Sequence, residues 1–220
     1  MNKTAIILGA TGLTGSILLE KLLNDHRYKS IKLFSRKPID GLPQKVEQFI
    51  GDIIALEQFK KDFTADEVFC CIGTTAKKTP DKQRYKKIDF GIPVTAAKLA
   101  KANKIPSYLV ISSLGANANS PIFYNKVKGE MEQAVLLEQI KKTHILQPSI
   151  IGGQRKETRI GEKIGLVVLQ LLQPLFFGSF KKYRITEAED IAQAMIQLAN
   201  SKFEKQIITS EKIKEITTKN

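Results

Sequence analysis

Cysteine is scarce. The 220 residues hold two, Cys70 and Cys71, and they are neighbours. Adjacent cysteines cannot staple distant segments, so a disulfide framework is excluded. A reducing compartment follows as the expectation, and the chain is expected to be cytoplasmic. Histidine is equally scarce: His26 and His144 lie far apart and neither has a cluster of metal ligands around it, so no metal is expected. The chain lacks internal repeats and low-complexity segments. It also lacks a hydrophobic run long enough for a membrane span. The most apolar stretch, 164–180, is interrupted by Gln170, Gln173 and Pro174, and reads as a buried or pocket-lining helix in preference to one lying on a membrane surface. The opening MNKTAIILGA has one lysine and an apolar run broken at Gly9, with no cleavage site, so it is not read as a signal peptide.

Hydrophobic residues make up 42% and charged residues 26%, ordinary proportions for a soluble globular protein. A chain this long buries roughly 70% of its unfolded surface, enough for a self-sufficient core. The formal charge is +13, which would suit a polyanionic partner. Lysine, however, supplies 29 of the 35 positive charges, whereas arginine is favoured for bidentate phosphate and base recognition. The lysines are scattered through every segment, as in Lys60-Lys61, Lys77-Lys78, Lys86-Lys87, Lys141-Lys142 and Lys181-Lys182. They read as a solvated surface, not as a nucleic-acid stripe.

What recurs is a strand-like run followed by a helix-like run. Ala5, Ile6, Ile7 and Leu8 form a compact apolar run, followed by Gly9. Leu13, Ile17, Leu18 and Leu22 then repeat at three- and four-residue steps, the spacing of one helix face. Further strands are predicted over 30–35, 46–50, 67–72, 107–112, 143–146 and 206–209. Helices are predicted over 56–61, 81–103 with a start or kink at Pro93, 124–139 and 187–200. The runs at 67–72 and 107–112 are continuously apolar, as in strands buried on both faces. This alternation implies an α/β fold, a doubly wound parallel sheet with helices on both faces. The whole chain, 1–220, is expected to form one nucleotide-binding domain, with 152–180 as a small substrate-site insertion.

LGATGLTG places Gly9, Gly12 and Gly15 at the first turn between strand and helix. Glycine there permits a tight turn, close approach of a pyrophosphate and close helix–strand packing. The helix start offers free N–H groups and partial positive charge to phosphates, with Thr11, Leu13 and Thr14 as further donors. At the end of the second strand an NAD site places an acid that accepts from the ribose 2′-OH. Here stand Ser35, Arg36 and Lys37, which would instead hold a 2′-phosphate, so NADP(H) is the expected cofactor. Asp52 and Ile53 after the third strand fit the adenine edge and ring. Cys71, Gly73, Thr74 and Thr75 follow the fourth strand, where the chain runs close to the cofactor. The two cysteines themselves read as small core residues.

Tyr124 and Lys128 are four apart at a helix start and so share a face. Ser112 and Ser113 stand twelve and eleven residues earlier, at a strand end. A phenol titrates near pH 10 and is a poor acid–base group at neutrality; an adjacent ammonium favours the phenolate. A serine hydroxyl would hydrogen-bond the substrate oxygen, and the lysine would also hold the nicotinamide ribose.

With these motifs the chain resembles the short-chain dehydrogenase/reductase superfamily. GATGLTG, ISSLGA and YNKVK are similar to its atypical branch. CIGTT, SSLGAN, YNKVKGEME and IGGQRKETRIGE are similar, more narrowly, to Tat-interacting-protein-like oxidoreductases. The resemblance covers nearly the whole chain. It implies a Rossmann fold, NADP(H) binding and a Ser-Tyr-Lys triad on Ser113 (or Ser112), Tyr124 and Lys128. Pro148 would hold the nicotinamide carboxamide region. Where relatives read Arg-Pro-Gly, this chain reads Gln147-Pro148-Ser149. The leading expectation is an NADPH-dependent carbonyl reductase acting on a small-molecule carbonyl substrate. Its pocket would come chiefly from 152–180, where Arg155, Lys156 and Arg159 either favour an anionic substrate or form a solvated loop. The alternative is an NADPH-sensing binding module acting through a protein partner, against which the intact Tyr-Lys pair argues. A sugar-nucleotide epimerase or dehydratase would need a larger C-terminal substrate region. Neither monomer nor homodimer is singled out.

Overall fold

Ala5 and Ile7 belong to one apolar cluster, Ile6 and Leu8 to another, and both clusters are closed to solvent. That split follows from the two-residue period of a strand, and it means the strand is covered on both sides. The same division separates Leu33 from Phe34, Phe69 from Val68 and Leu109 from Val110. In the computed structural model, which describes residues 2–153 and 184–218, these strands lie in one seven-stranded sheet. The helix predicted over 164–180, Arg155, Lys156 and Arg159, and nearly all of the predicted substrate-site insertion, lie outside the described residues.

The chain opens with β1 (Lys3–Leu8), α1 (Leu13–Asn24), β2 (Tyr28–Ser35), β3 (Val46–Ile50), a 3-10 segment (Ile53–Phe59) and β4 (Glu67–Cys70). A long helical stretch follows: α2 (Lys82–Lys86), a π turn (Lys87–Gly91) and α3 (Ile92–Ala102). Next come β5 (Ser107–Ile111), α4 (Phe123–Leu137), β6 (Lys142–Gln147) and β7 (Ile151–Gly152). The last described segment holds β8 (Thr186–Glu187), α5 (Ala188–Ala199), β9 (Ile207–Thr209) and α6 (Ser210–Thr218). The sheet order is β3-β2-β1-β4-β5-β6-β9, and every pairing is parallel. α1, α5 and α6 cover one face; α3 and α4 cover the other. Each fully buried aliphatic side chain contributes roughly 1.5–3 kcal/mol to this packing.

Three elements differ most from the sequence expectation. The predicted strand over 67–72 ends at Cys70; the Cys71 N–H still donates to the Leu8 carbonyl at 2.9 Å, after which the chain leaves the sheet. The predicted helix over 81–103 contains a π turn just ahead of Pro93. Proline lacks the N–H that would close an α-turn on the Asp89 carbonyl, so the ladder widens there. α6 is an additional helix, and only Ser210 and Ile213 of it are buried, too thin a stripe to announce itself.

Opposite the site described below, a polar network closes the amino ends of the strands. Glu67, 2% exposed, accepts from Lys3 and from the Tyr28 hydroxyl, the latter at 2.6 Å. Asn200 accepts from Lys3 at 2.7 Å and donates to Tyr28 at 2.8 Å, tying β1, β2, β4 and the end of α5 together.

Candidate functional site

The strand order reverses between β1 and β4, and in open α/β sheets the crevice for a ligand forms at the carboxyl ends of the strands at that point. Gly9 stands there with φ +86°, and a Cβ on it would lie 2.8 Å from the Cys71 carbonyl oxygen. A Cβ on Gly15 would lie 2.1 Å from the Gly9 carbonyl oxygen. The chain's own packing therefore demands glycine at both positions. Gly12 is different. It is exposed, and a Cβ there would meet only the Gly9 carbonyl oxygen, at 3.3 Å. Room at Gly12 opens outward, towards whatever sits on the turn. The α1 ladder begins with the Ser16 N–H donating to the Gly12 carbonyl at 2.9 Å. The N–H groups of Leu13, Thr14 and Gly15 are thus left without an intrahelical acceptor, and Gly12, the N-cap, brings no side chain to satisfy them. This is an anion-receptive helix start. Thr11 is exposed beside it, whereas Thr14 is buried.

The ends of β2 and β3 are joined by the Gly51 N–H, which donates to the Ser35 carbonyl at 3.0 Å. The Ser35 hydroxyl donates to the Lys37 carbonyl at 2.7 Å, shaping the turn that carries exposed Arg36 and Lys37. Arg36 lines a cleft of about 370 Å³ together with Asp52 and Ile54; Lys37 does not line it. The Asp52 carboxylate accepts from the Ile54 N–H at 3.0 Å, so it also caps the 3-10 segment. Ile53 packs, half-buried, against the core. A second hollow of about 540 Å³ lies between α1 and α5, away from these strand ends. Four of the charges that line it form two pairs, Lys21 with Glu189 at 2.6 Å and Arg27 with Asp25 at 2.5 Å.

Ser112 and Ser113 follow β5 and are both buried. Their hydroxyls have different fates. Ser112 Oγ donates to Glu132 Oε1, and Gln147 Nε2 reaches both oxygens of the same carboxylate at 2.9 and 3.0 Å. Ser113 Oγ is buried with no hydrogen-bond partner among the described residues. Burial pushes the Glu132 carboxyl above its usual value, although Ser112, Gln147 and the nearby Lys128 charge all oppose this.

Tyr124 and Lys128 lie one turn apart on α4. Tyr124 is 39% exposed, and the ring of buried Tyr85 meets it edge-on at 6.4 Å. Lys128 is 3% exposed, and its Nζ lies 2.9 Å from Asp89 Oδ1 and 3.5 Å from the Ile111 carbonyl. Burial pulls the Lys128 ammonium's pKa down, but the Asp89 and Tyr124 charges outweigh it, so the net shift is upward and the group stays protonated. Asp89 is fully buried on the π turn, and its other oxygen accepts from the Thr74 N–H at 2.8 Å. Thr74 shares a hydroxyl hydrogen bond with Thr79 at 2.9 Å, and its carbonyl accepts from Tyr85 Oη at 3.3 Å. Gly73 and Thr75 are exposed beside it. Pro148 is buried, and its carbonyl accepts from the Leu114 N–H at 2.7 Å. A Cβ on Gly129 would lie 2.1 Å from Ala118 N, so the loop after β5 rests directly on the α4 backbone. The Asn117 N–H reinforces this by donating to the Asn125 carbonyl at 2.9 Å.

Sequence reasoning missed Asp89 and Glu132. The signal for Asp89 was present: an acid flanked by Ile88 and Phe90, four residues before Pro93, in an apolar helical stretch. The two cysteines carry no thiolate character; burial pushes both thiols up. Among the described residues no group of three or more His, Cys, Asp or Glu is placed to hold a metal ion, and no helix is long and apolar enough to cross a membrane.

The family model described as NAD(P)H-binding matches residues 9–151. The mitochondrial protein FMP52-1 of Scheffersomyces stipitis is 32% identical over 212 residues, covering 92% of this chain and 90% of that protein. Protein HTATIP2 of Rattus norvegicus is 31% identical over 182 residues, covering 81% of this chain and 72% of its own length. The crystal structure of UDP-glucose 4-epimerase with UDP-glucose from Thermotoga maritima superposes with a TM-score of 0.71 at 15% identity, covering 98% of this chain and 82% of the epimerase. At that identity the likeness concerns the fold alone. The cytoplasmic expectation is corrected by these comparisons, since the Scheffersomyces stipitis relative is named a mitochondrial protein. Scarce, unpaired cysteine reports a reducing environment and not a particular compartment.

Proposed function

The chain belongs to the NAD(P)H-binding family of atypical short-chain dehydrogenase/reductase proteins, and on that premise we propose that it is an NADPH-dependent reductase of small carbonyl compounds. The observation that carries the reading is the contrast between two adjacent hydroxyls. Ser112 is taken up by Glu132, while Ser113 is buried and unpartnered among the described residues. A buried hydroxyl of this kind is open to a substrate oxygen or an ordered water, and Ser113 stands just past the end of β5, one residue from the hydroxyl that Glu132 occupies.

The residues present fit a phosphorylated nicotinamide dinucleotide. Gly12 leaves open space above the turn, and the first N–H groups of α1 lack acceptors, which suits a pyrophosphate. Arg36 stands at the end of β2, where a 2′-phosphate would lie. When bound, the cofactor supplies the hydride that reduces the carbonyl carbon. Tyr124 donates the proton from its phenol to the carbonyl oxygen, completing the alcohol. Ser113 donates a hydrogen bond to that same oxygen and holds it in place. Lys128 stabilises the phenolate left on Tyr124, and Asp89 fixes Lys128 in position and in its charged form. Ser112, Glu132 and Gln147 brace the strand end that presents Ser113.

The test is direct. The purified protein is titrated with NADPH and NADH, and NADPH absorbance is then followed across a panel of aldehydes, ketones and quinones. Tight NADPH binding with turnover of at least one carbonyl compound is expected. Absence of dinucleotide binding would overturn the reading. Tight binding without turnover, coupled to altered affinity for a protein, would replace it with the sensing role.

A further inference from the structure

Arg36 does not face its cleft alone. The space of about 370 Å³ is also lined by Arg84 of α2 and Lys87 of the π turn. These three cations come from two separate parts of the chain, the turn after β2 and the helical stretch before α3. None of them forms an ion pair or side-chain hydrogen bond among the described residues, and all three are exposed. Several other cations on the fold behave differently. Lys86 pairs with Glu130 at 2.6 Å, Lys21 with Glu189 and Lys3 with Glu67. Two carboxylates line the same cleft, but both serve helix starts: Asp52 accepts from the Ile54 N–H, and Asp81 from the Arg84 N–H at 2.6 Å. The cations therefore keep free ends around a shared space. With three cations and two carboxylates around it, the space keeps a positive excess that an anion would relieve.

We infer that Arg84, supported by Lys87, determines specificity for the 2′-phosphate of NADPH, gripping it from the helical side of the cleft while Arg36 grips it from the β2 side. The inference rests on the proposed NADPH reading and adds to it a second element. A phosphate monoester dianion offers three acceptor oxygens, more than one guanidinium fork satisfies. Arg84 and Lys87 are three residues apart along continuous helical backbone, so they share a face and present their charges to the cleft together.

The experiment is calorimetric titration of wild type, Arg36→Ala, Arg84→Ala, Lys87→Ala and the control Lys98→Ala with NADPH and with NADH. Arg84 is exposed and alanine favours helix, so the variant keeps its fold, checked by circular dichroism. Arg84→Ala is expected to lose about ten-fold or more in NADPH affinity, and Lys87→Ala about three-fold. Both should stay within about two-fold for NADH, and Lys98→Ala should change neither. If Arg36→Ala loses NADPH affinity while Arg84→Ala and Lys87→Ala do not, the inference is overturned and the cofactor reading stands. An equal loss for both dinucleotides in Arg84→Ala also overturns it, because a general charge effect would then suffice. If wild type holds NADH as tightly as NADPH, the cofactor reading falls and the inference with it.

Discussion

Asp89 and Lys128 meet at 2.9 Å with both side chains closed to solvent, one on a π turn and the other on α4. Neither charge is tolerable there alone. Asp89→Ala should destabilise the protein by about 3–5 kcal/mol, since it strands a buried ammonium. Asp89→Ala combined with Lys128→Met should recover much of that loss, because an unbranched apolar side chain of similar length replaces the cation. Chemical denaturation of the two variants decides this. A double variant no more stable than the single one would show that the pair does not act as a unit.

Tyr124→Phe keeps the ring against Tyr85 and removes only the phenolic oxygen. Turnover should fall by roughly two to four decades, with NADPH affinity within a few-fold of wild type. Unchanged turnover would remove Tyr124 from the chemistry.

The two serines should separate stability from catalysis. Ser112→Ala removes a donor from the buried Glu132 carboxylate and should cost about 1–3 kcal/mol. Ser113→Ala removes no hydrogen bond and should leave stability within about 0.5 kcal/mol, while lowering turnover by about 10²-fold. Thermal unfolding beside an NADPH-oxidation assay reads both effects, and the reverse pattern would exchange the two assignments.

The three glycines of the first turn should also divide. Gly15→Ala forces a Cβ to 2.1 Å from the Gly9 carbonyl oxygen and should prevent folding. Gly12→Val should leave a folded protein that no longer binds dinucleotide, because its side chain occupies the open side of the turn. Normal NADPH binding by a folded Gly12→Val protein would move the phosphate site elsewhere.

His144 gives a pH signature. It is buried, and its Nδ1–H donates to the Lys205 carbonyl at 2.8 Å, since a carbonyl only accepts. Burial holds its pKa below the usual 6.5 despite that bond. The folded protein thus binds the proton less readily than the unfolded chain, and stability should fall as pH drops below 6.5 towards the folded-state pKa. Glu132, shifted upward, contributes the opposite slope from about pH 4.5 upward. Comparing wild type with His144→Asn isolates the histidine. The variant should lose this pH dependence, and identical profiles would refute the assignment.

Much of this was legible because it is local. The β1 run, the glycine turn and the α1 periodicity are contiguous, and each signals itself through short-range spacing. Tyr124 and Lys128 are equally local, one helical turn apart. What stayed hidden depends on segments that meet only after folding. Asp89 finds Lys128 across two helices, Glu132 chooses Ser112 over Ser113, and Arg84 joins Arg36 across a cleft. The two-residue strands β7 and β8 are too short for any periodicity to show. Pro93 announced a break in the helix and its missing N–H accounts for the widened turn, but the burial of Asp89 on that turn follows from tertiary packing.

The contact at Gly129 bears on how fast a ligand is captured. Because the loop that follows Ser113 lies on the α4 backbone, the serine limb and the tyrosine limb are packed backbone to backbone. Backbone packed that closely leaves little room for the two limbs to shift against each other when a ligand binds. Capture at this wall should therefore scale with encounter frequency and solvent viscosity, without the lag of a slow isomerisation.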